Sequence, residues 1–151
     1  MDPPNWGSWR SMLPSILLVE DSRFLRVASE RALTKAGFTV ITTGDGEEAL
    51  RVAKDKVPDL ILLDMLLPKL GGQEVLRLLK ANTSTSHIPV VVLSSLSQAN
   101  AEKLKEEGAV AYFEKSHLLL EGTPDLLIKT IERILAGPNR PADSLAARSK
   151  D

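Results

Sequence analysis

Five short apolar runs alternate with amphipathic segments along most of the chain, and this alternation restricts the fold more than any other feature. The runs are Ile16–Glu20, Phe38–Thr43, Asp59–Leu63, Val90–Leu93 and Val110–Phe113. The first, third and fourth are continuously apolar, as strands covered on both faces must be. Between them the spacing predicts helices. One runs from Ser22 to Ala36, with Leu25, Ala28, Ala32 and Ala36 on one face and Gly37 ending it. A second opens on Asp45 and Glu48 at capping-box spacing and should bury Ala49, Ala53 and Val57. A third follows Gly72 with Val75, Leu76 and Leu79. The last has Thr123 as N-cap and Pro124 at its first position, buries Leu127, Ile128, Ile131, Ile134 and Leu135, and stops at Gly137-Pro138. Strict βα alternation implies right-handed crossovers and an α/β, doubly wound parallel sheet with helices on both faces.

The segment from Ser97 to Glu107 has only Ala99, Ala101 and Leu104 to bury. It is either a plainly solvated helix or a movable, partner-facing one. Residues 1–14 and 138–151 are rich in proline, small and polar residues and read as tails or linkers around a domain spanning 15–137. Trp6 and Trp9 either anchor the first tail to a surface or have little structural role.

Bulk properties remove several classes of function. Among 151 residues, 19 basic side chains offset 20 acidic ones, so the net charge of −1 gives no global pull toward nucleic acid or an anionic membrane. Cysteine is absent, which excludes disulfides, thiolate metal sites and cysteine nucleophiles. His87 and His117 have no partner at ligand spacing and are expected at the surface. No signal peptide is visible in the first residues, and neither an apolar run of membrane-spanning length nor a glycine-rich phosphate loop is seen. A cytoplasmic location is expected.

Chemistry concentrates at the carboxyl ends of the strands, where open α/β sheets hold ligands. Glu20 and Asp21 follow the first strand, Asp64 the third, Ser94 and Ser95 the fourth, and Lys115 the fifth. Singly, each has a plain explanation as a turn former, a helix cap or a solvated lysine. Together they place three carboxylates, a hydroxyl and an ammonium on one edge. Clustered carboxylates raise one another's proton affinity unless a cation compensates. A hard ion such as Mg²⁺ does so with oxygen ligands. With the ammonium and hydroxyl it would clamp a phosphoryl group in transfer, and one carboxylate would act as nucleophile to give an acyl phosphate.

Four segments carry a specific resemblance: ILLVEDS (Ile16–Ser22), LILLDMLLPKLGG (Leu60–Gly72), PVVVLSS (Pro89–Ser95) and AYFEKS (Ala111–Ser116). In order and spacing they resemble the signature blocks of response-regulator receiver domains, over about residues 15–137. The resemblance implies a flavodoxin-like five-stranded sheet of order 2-1-3-4-5, with Asp64 as phosphoacceptor. It implies Mg²⁺ held by Asp21, Asp64 and the backbone carbonyl of Leu66, with Glu20 assisting through water. Lys115 would pair with the phosphoaspartate, Ser94 would hydrogen-bond a phosphoryl oxygen, and Tyr112 matches an aromatic rotamer switch. Pro68 and Gly72 match the family's loop after the acceptor. One departure stands out: the family has proline after the lysine, in a cis bond that aims the ammonium, and this chain has Ser116. A cis bond there would cost about 2.5–4 kcal/mol, so a trans bond and a shifted loop are the alternative.

The implied partners are a histidine kinase or phosphotransfer protein as donor, and a downstream protein on the surface of the fourth helix, fifth strand and fifth helix. A weak homodimer is left open; no nucleic acid or membrane contact is expected. The chain would be a signalling module rather than an enzyme, catalysing only its own phosphorylation and dephosphorylation. An aspartate-nucleophile phosphatase would carry a second acid two residues beyond the nucleophile, where this chain has Leu66. A non-phosphorylated pseudo-receiver would lack the acids. The residues do not distinguish a single-domain regulator from a piece of a longer one. Leu66 and Leu96, two beyond the acceptor and two beyond the switch hydroxyl, should screen the phosphoryl group from water and slow its loss.

Overall fold

The computed structural model describes residues 13–94, 101–115 and 125–137. Its strands are β1 (Ser15–Val19), β2 (Thr39–Thr43), β3 (Leu60–Asp64), β4 (Val90–Ser94) and β5 (Ala111–Glu114). The helices between and after them are α1 (Arg23–Lys35), α2 (Gly46–Lys56), α3 (Gly72–Ala81), α4 (Ala101–Glu106) and α5 (Asp125–Ala136). All strand pairs are parallel, in the order β2-β1-β3-β4-β5. The expected doubly wound topology is therefore observed. β3 and β4 are buried throughout and β1 nearly so, while the edge strands β2 and β5 are only partly covered.

Side chains alternate along each strand and divide the core in two. Leu17, Val19, Ile61, Leu63, Val90 and Val92 meet Ala49 and Ala53 of α2, Val75, Leu76 and Leu79 of α3, and Leu104 of α4. Ile16, Leu18, Leu60, Leu62, Val91 and Leu93 meet Leu33 of α1 and Leu127 and Ile131 of α5. On α4, Leu104 is buried and Ala101 packs against the first cluster, the only two apolar anchors of this helix among the described residues.

Three expected core residues are corrected. Ala28 of α1 and its C-cap Ala36 are exposed, and the residue of α1 that is fully buried is Leu33. Leu25 and Ala32 of the expected face are half-buried, and the face centres on Leu33 because a large leucine gains more from burial than an alanine. Val57 is exposed rather than buried: it is the C-cap of α2 in a left-handed conformation (φ 45°), which turns it away from the helix face. Asp45 caps α2 through a 2.8 Å bond from the Glu48 amide. The predicted cap Thr123, Pro124, Ala99, Trp6, Trp9, Ser95, Leu96, Ser116 and His117 lie outside the described residues, as do most of both tails. His87 is exposed, as expected.

Candidate functional site

The parallel sheet brings the ends of β1, β3, β4 and β5 together. Val19 is level with Leu63, Asp64 with Leu93, and Ser94 with Glu114. Asp64 and Ser94, the last residues of β3 and β4, and Glu20 and Lys115, the first after β1 and β5, therefore land on one carboxyl edge. Glu20 and Asp64 are each 2% exposed and Ser94 is fully buried. Lys115 joins the two acids: its Nζ lies 2.9 Å from Asp64 Oδ2, 2.9 Å from Glu20 Oε1 and 3.0 Å from Glu20 Oε2.

The remaining acceptor sites are also matched. The Leu66 amide donates to Asp64 Oδ1 at 3.2 Å, and the Ser22 amide donates to Glu20 Oε2 at 3.1 Å. Ser22 Oγ accepts from the Leu25 amide and so caps α1. The chain can turn back beneath Asp64 because residue 72 is glycine: its amide bonds the Met65 carbonyl at 3.0 Å, and a Cβ there would lie 2.6 Å from Met65 Cα. In that loop Lys69 adopts φ 66° and pairs with Asp45 at 3.7 Å.

The charges are out of balance. Burial pushes the Glu20 carboxyl above its ordinary value against the hydrogen bond from Lys115, and the charge of Asp64 adds to the rise. Burial alone would lower Lys115, but its bonds to Glu20 and Asp64 outweigh that and hold it above its usual value. One ammonium answers two buried carboxylates, and Asp21 adds a third charge on the exposed side of the same turn. Among the described residues Glu20, Asp21 and Asp64 do not close into a three-ligand cluster. The donors are nonetheless all hard oxygens with excess negative charge, which is the chemistry of a Mg²⁺ site and unsuited to a soft metal.

The structure thus brings Glu20, Asp64, Ser94 and Lys115 to one edge, with Asp21 on its rim and Leu66 above it. Tyr112 is buried on the α4 side of the sheet, level with Val92 of β4. Arg26 was not singled out in the sequence, yet its Nη1 donates to the main-chain carbonyl of Glu20 at 2.8 Å and lies 3.4 Å from that of Asp21. The only sequence signal was a basic residue one turn into the helix after the acidic pair.

A five-stranded parallel sheet of this order, with acids and a lysine gathered at its carboxyl edge, defines a doubly wound, flavodoxin-like domain. Residues 16–128 match the profile of the response regulator receiver domain, and the chain belongs to that family: it is a receiver domain of a two-component response regulator. It is 33% identical over 105 residues to the polar-differentiation response regulator DivK of Brucella ovis, covering 69% of this chain and 85% of that one. Chemotaxis protein CheY4 of Vibrio cholerae superimposes with a TM-score of 0.71 at 27% identity, over 80% of this chain and 98% of the other. The BeF3-activated N-terminal receiver domain of Klebsiella pneumoniae RstA gives 0.73 at 29% identity, over 82% and 99%. Among the described residues no helix is long and apolar enough to cross a membrane.

Proposed function

We propose that the chain accepts a phosphoryl group on Asp64 from a phosphohistidine donor, a histidine kinase or phosphotransfer protein, with Mg²⁺ bound. The observation that carries this reading is the buried Glu20–Lys115–Asp64 bridge at the carboxyl edge, with Ser94 on the adjacent strand. An Asp64 oxygen attacks phosphorus, the bond to the donor nitrogen breaks, and an acyl phosphate forms. Lys115, already on Asp64 Oδ2, stays to balance the added charge, and Ser94 supplies a hydroxyl to a phosphoryl oxygen. Asp21, Asp64 and the Leu66 carbonyl would hold Mg²⁺, with Glu20 acting through water. The ion when bound supplies charge neutralisation to the phosphoryl oxygens.

Phe24 at the start of α1, Leu66 after β3 and Leu126 at the start of α5 are 76%, 57% and 64% exposed, which gives a donor an apolar rim to dock on. Output runs through α4, β5 and α5, because Ser94 and Tyr112 bracket the weakly anchored α4. Incubation with Mg²⁺ and acetyl phosphate should yield hydroxylamine-labile phosphate on the parent and none on Asp64→Asn. Acid-stable, hydroxylamine-resistant label, or none, would defeat the assignment. Beryllofluoride, the activator named for the RstA domain, should change amide exchange across Ala101–Tyr112. Equal protection in both states would count against the switch.

A further inference from the structure

The last rung between β1 and β2 is the Glu20 amide on the Thr43 carbonyl, at 3.1 Å. Beyond it, no backbone amide among the described residues reaches the Glu20 or Asp21 carbonyl. The half-buried guanidinium of Arg26 fills that place, at 2.8 Å and 3.4 Å, and forms no ion pair among the described residues. A cation beside two acids, spent on their carbonyls and not on their carboxylates, is unusual, since charge-to-charge bonds are the stronger kind.

We propose that Arg26 is a positioning residue for the acidic turn: by tying down the Glu20 and Asp21 carbonyls, it aims the two carboxylates and strengthens divalent-cation binding. This rests on the Mg²⁺-dependent phosphoacceptor reading. It also makes a prediction whose sign separates the two effects of an arginine. As a nearby positive charge, Arg26 repels Mg²⁺, so its removal would tighten binding. As a support for the ligands, its removal loosens binding, and lost supports of this kind weaken metal affinity by roughly tenfold or more.

Gly44 offers a second way to disturb the contact without deleting the arginine. A Cβ built on Gly44 would stand 3.1 Å from Arg26 Nη1, and the backbone there is not in the left-handed region. Gly44→Val should therefore displace the guanidinium while keeping its charge.

The test is Mg²⁺ titration of the full chain, followed by amide chemical shifts, for the parent, Arg26→Met, Arg26→Lys and Gly44→Val. Arg26→Met should raise the Mg²⁺ Kd about tenfold, Gly44→Val should follow it, and Arg26→Lys should recover part of the loss. A variant lacking Arg26 that binds Mg²⁺ as well as the parent, or better, overturns the proposal. A metal-free reading accompanies it: the Ser22 amide, held by Glu20 Oε2 at 3.1 Å, should exchange several-fold faster in Arg26→Met. Unchanged exchange also overturns the role. A parent that takes up no Mg²⁺ would instead refute the phosphoacceptor reading together with the metal-binding part of this one, and Ser22 exchange would still decide whether Arg26 holds the turn.

Discussion

Replacing Lys115 with methionine removes the ammonium that Glu20 and Asp64 share at 2.9–3.0 Å and leaves the side-chain volume nearly unchanged. Two carboxylates, each 2% exposed, then face each other without a countercharge. Breaking a buried pair in this way costs about 3–5 kcal/mol when the survivors stay ionised. They need not, because Glu20 already sits above its ordinary value and can take up a proton. From a reference of 4.5, protonating it at pH 7 costs about 3.4 kcal/mol, at about 1.36 kcal/mol per pH unit. That bounds the part of the loss that falls on Glu20: about 3.4 kcal/mol at pH 7, falling below about 1 kcal/mol at pH 5.

The sign follows from linkage. In the variant the folded carboxyl is raised above its unfolded value, so the folded state binds the extra proton. The associated stability is present below the unfolded value and is lost as pH rises through the folded one. Urea unfolding followed by circular dichroism at pH 5 and pH 7, without divalent metal, measures both points. Adding Asp64→Asn to the variant should restore most of the loss at pH 7. An equal destabilisation at both pH values, or no recovery in the double variant, would refute the reasoning.

Three further outcomes are expected. Gly72→Ala should destabilise by about 2 kcal/mol in denaturant unfolding, since its Cβ would press on the Met65 backbone beneath Asp64. Gln73→Ala should speed amide exchange at the end of α4 and in the turn after it. The lost contacts are both Gln73 Nε2 bonds to the Glu107 carboxylate, at 3.2 Å, which tie that turn to α3. Changing Leu66 to Asn and Leu96 to Glu should hasten loss of the acyl phosphate about tenfold, equivalent to about 1.4 kcal/mol of barrier. Identical decay of label from parent and variant would show that the leucines do not screen the site.

The three inner strands were legible because physics leaves them no choice: a strand covered on both faces must be apolar throughout, and Leu17, Ile61 and Val91 cannot be mistaken for surface. The face of α1 was not, because alanine satisfies a helical period without being committed to burial. Residues 25, 28, 32 and 36 fit the period as well as the true inward residue Leu33 and its half-buried neighbours, and only packing against Phe38, Leu127 and Ile131 decides between them. Val57 failed for a related reason. Hydrophobicity says what a residue gains from burial, but a left-handed C-cap decides where its side chain goes, and no periodicity records that. The acids and the lysine were legible because each stands at a strand end, so the topology alone gathers them. What the sequence could not express is how they share charge. Lys115 was expected to serve Asp64, yet two of its three close contacts go to Glu20, a residue 95 positions away. Arg26 was missed for the complementary reason that it bonds main-chain carbonyls, which every residue possesses. Pairings between side chains leave a trace in residue types, whereas a side chain that supports backbone is visible only once the backbone has a shape.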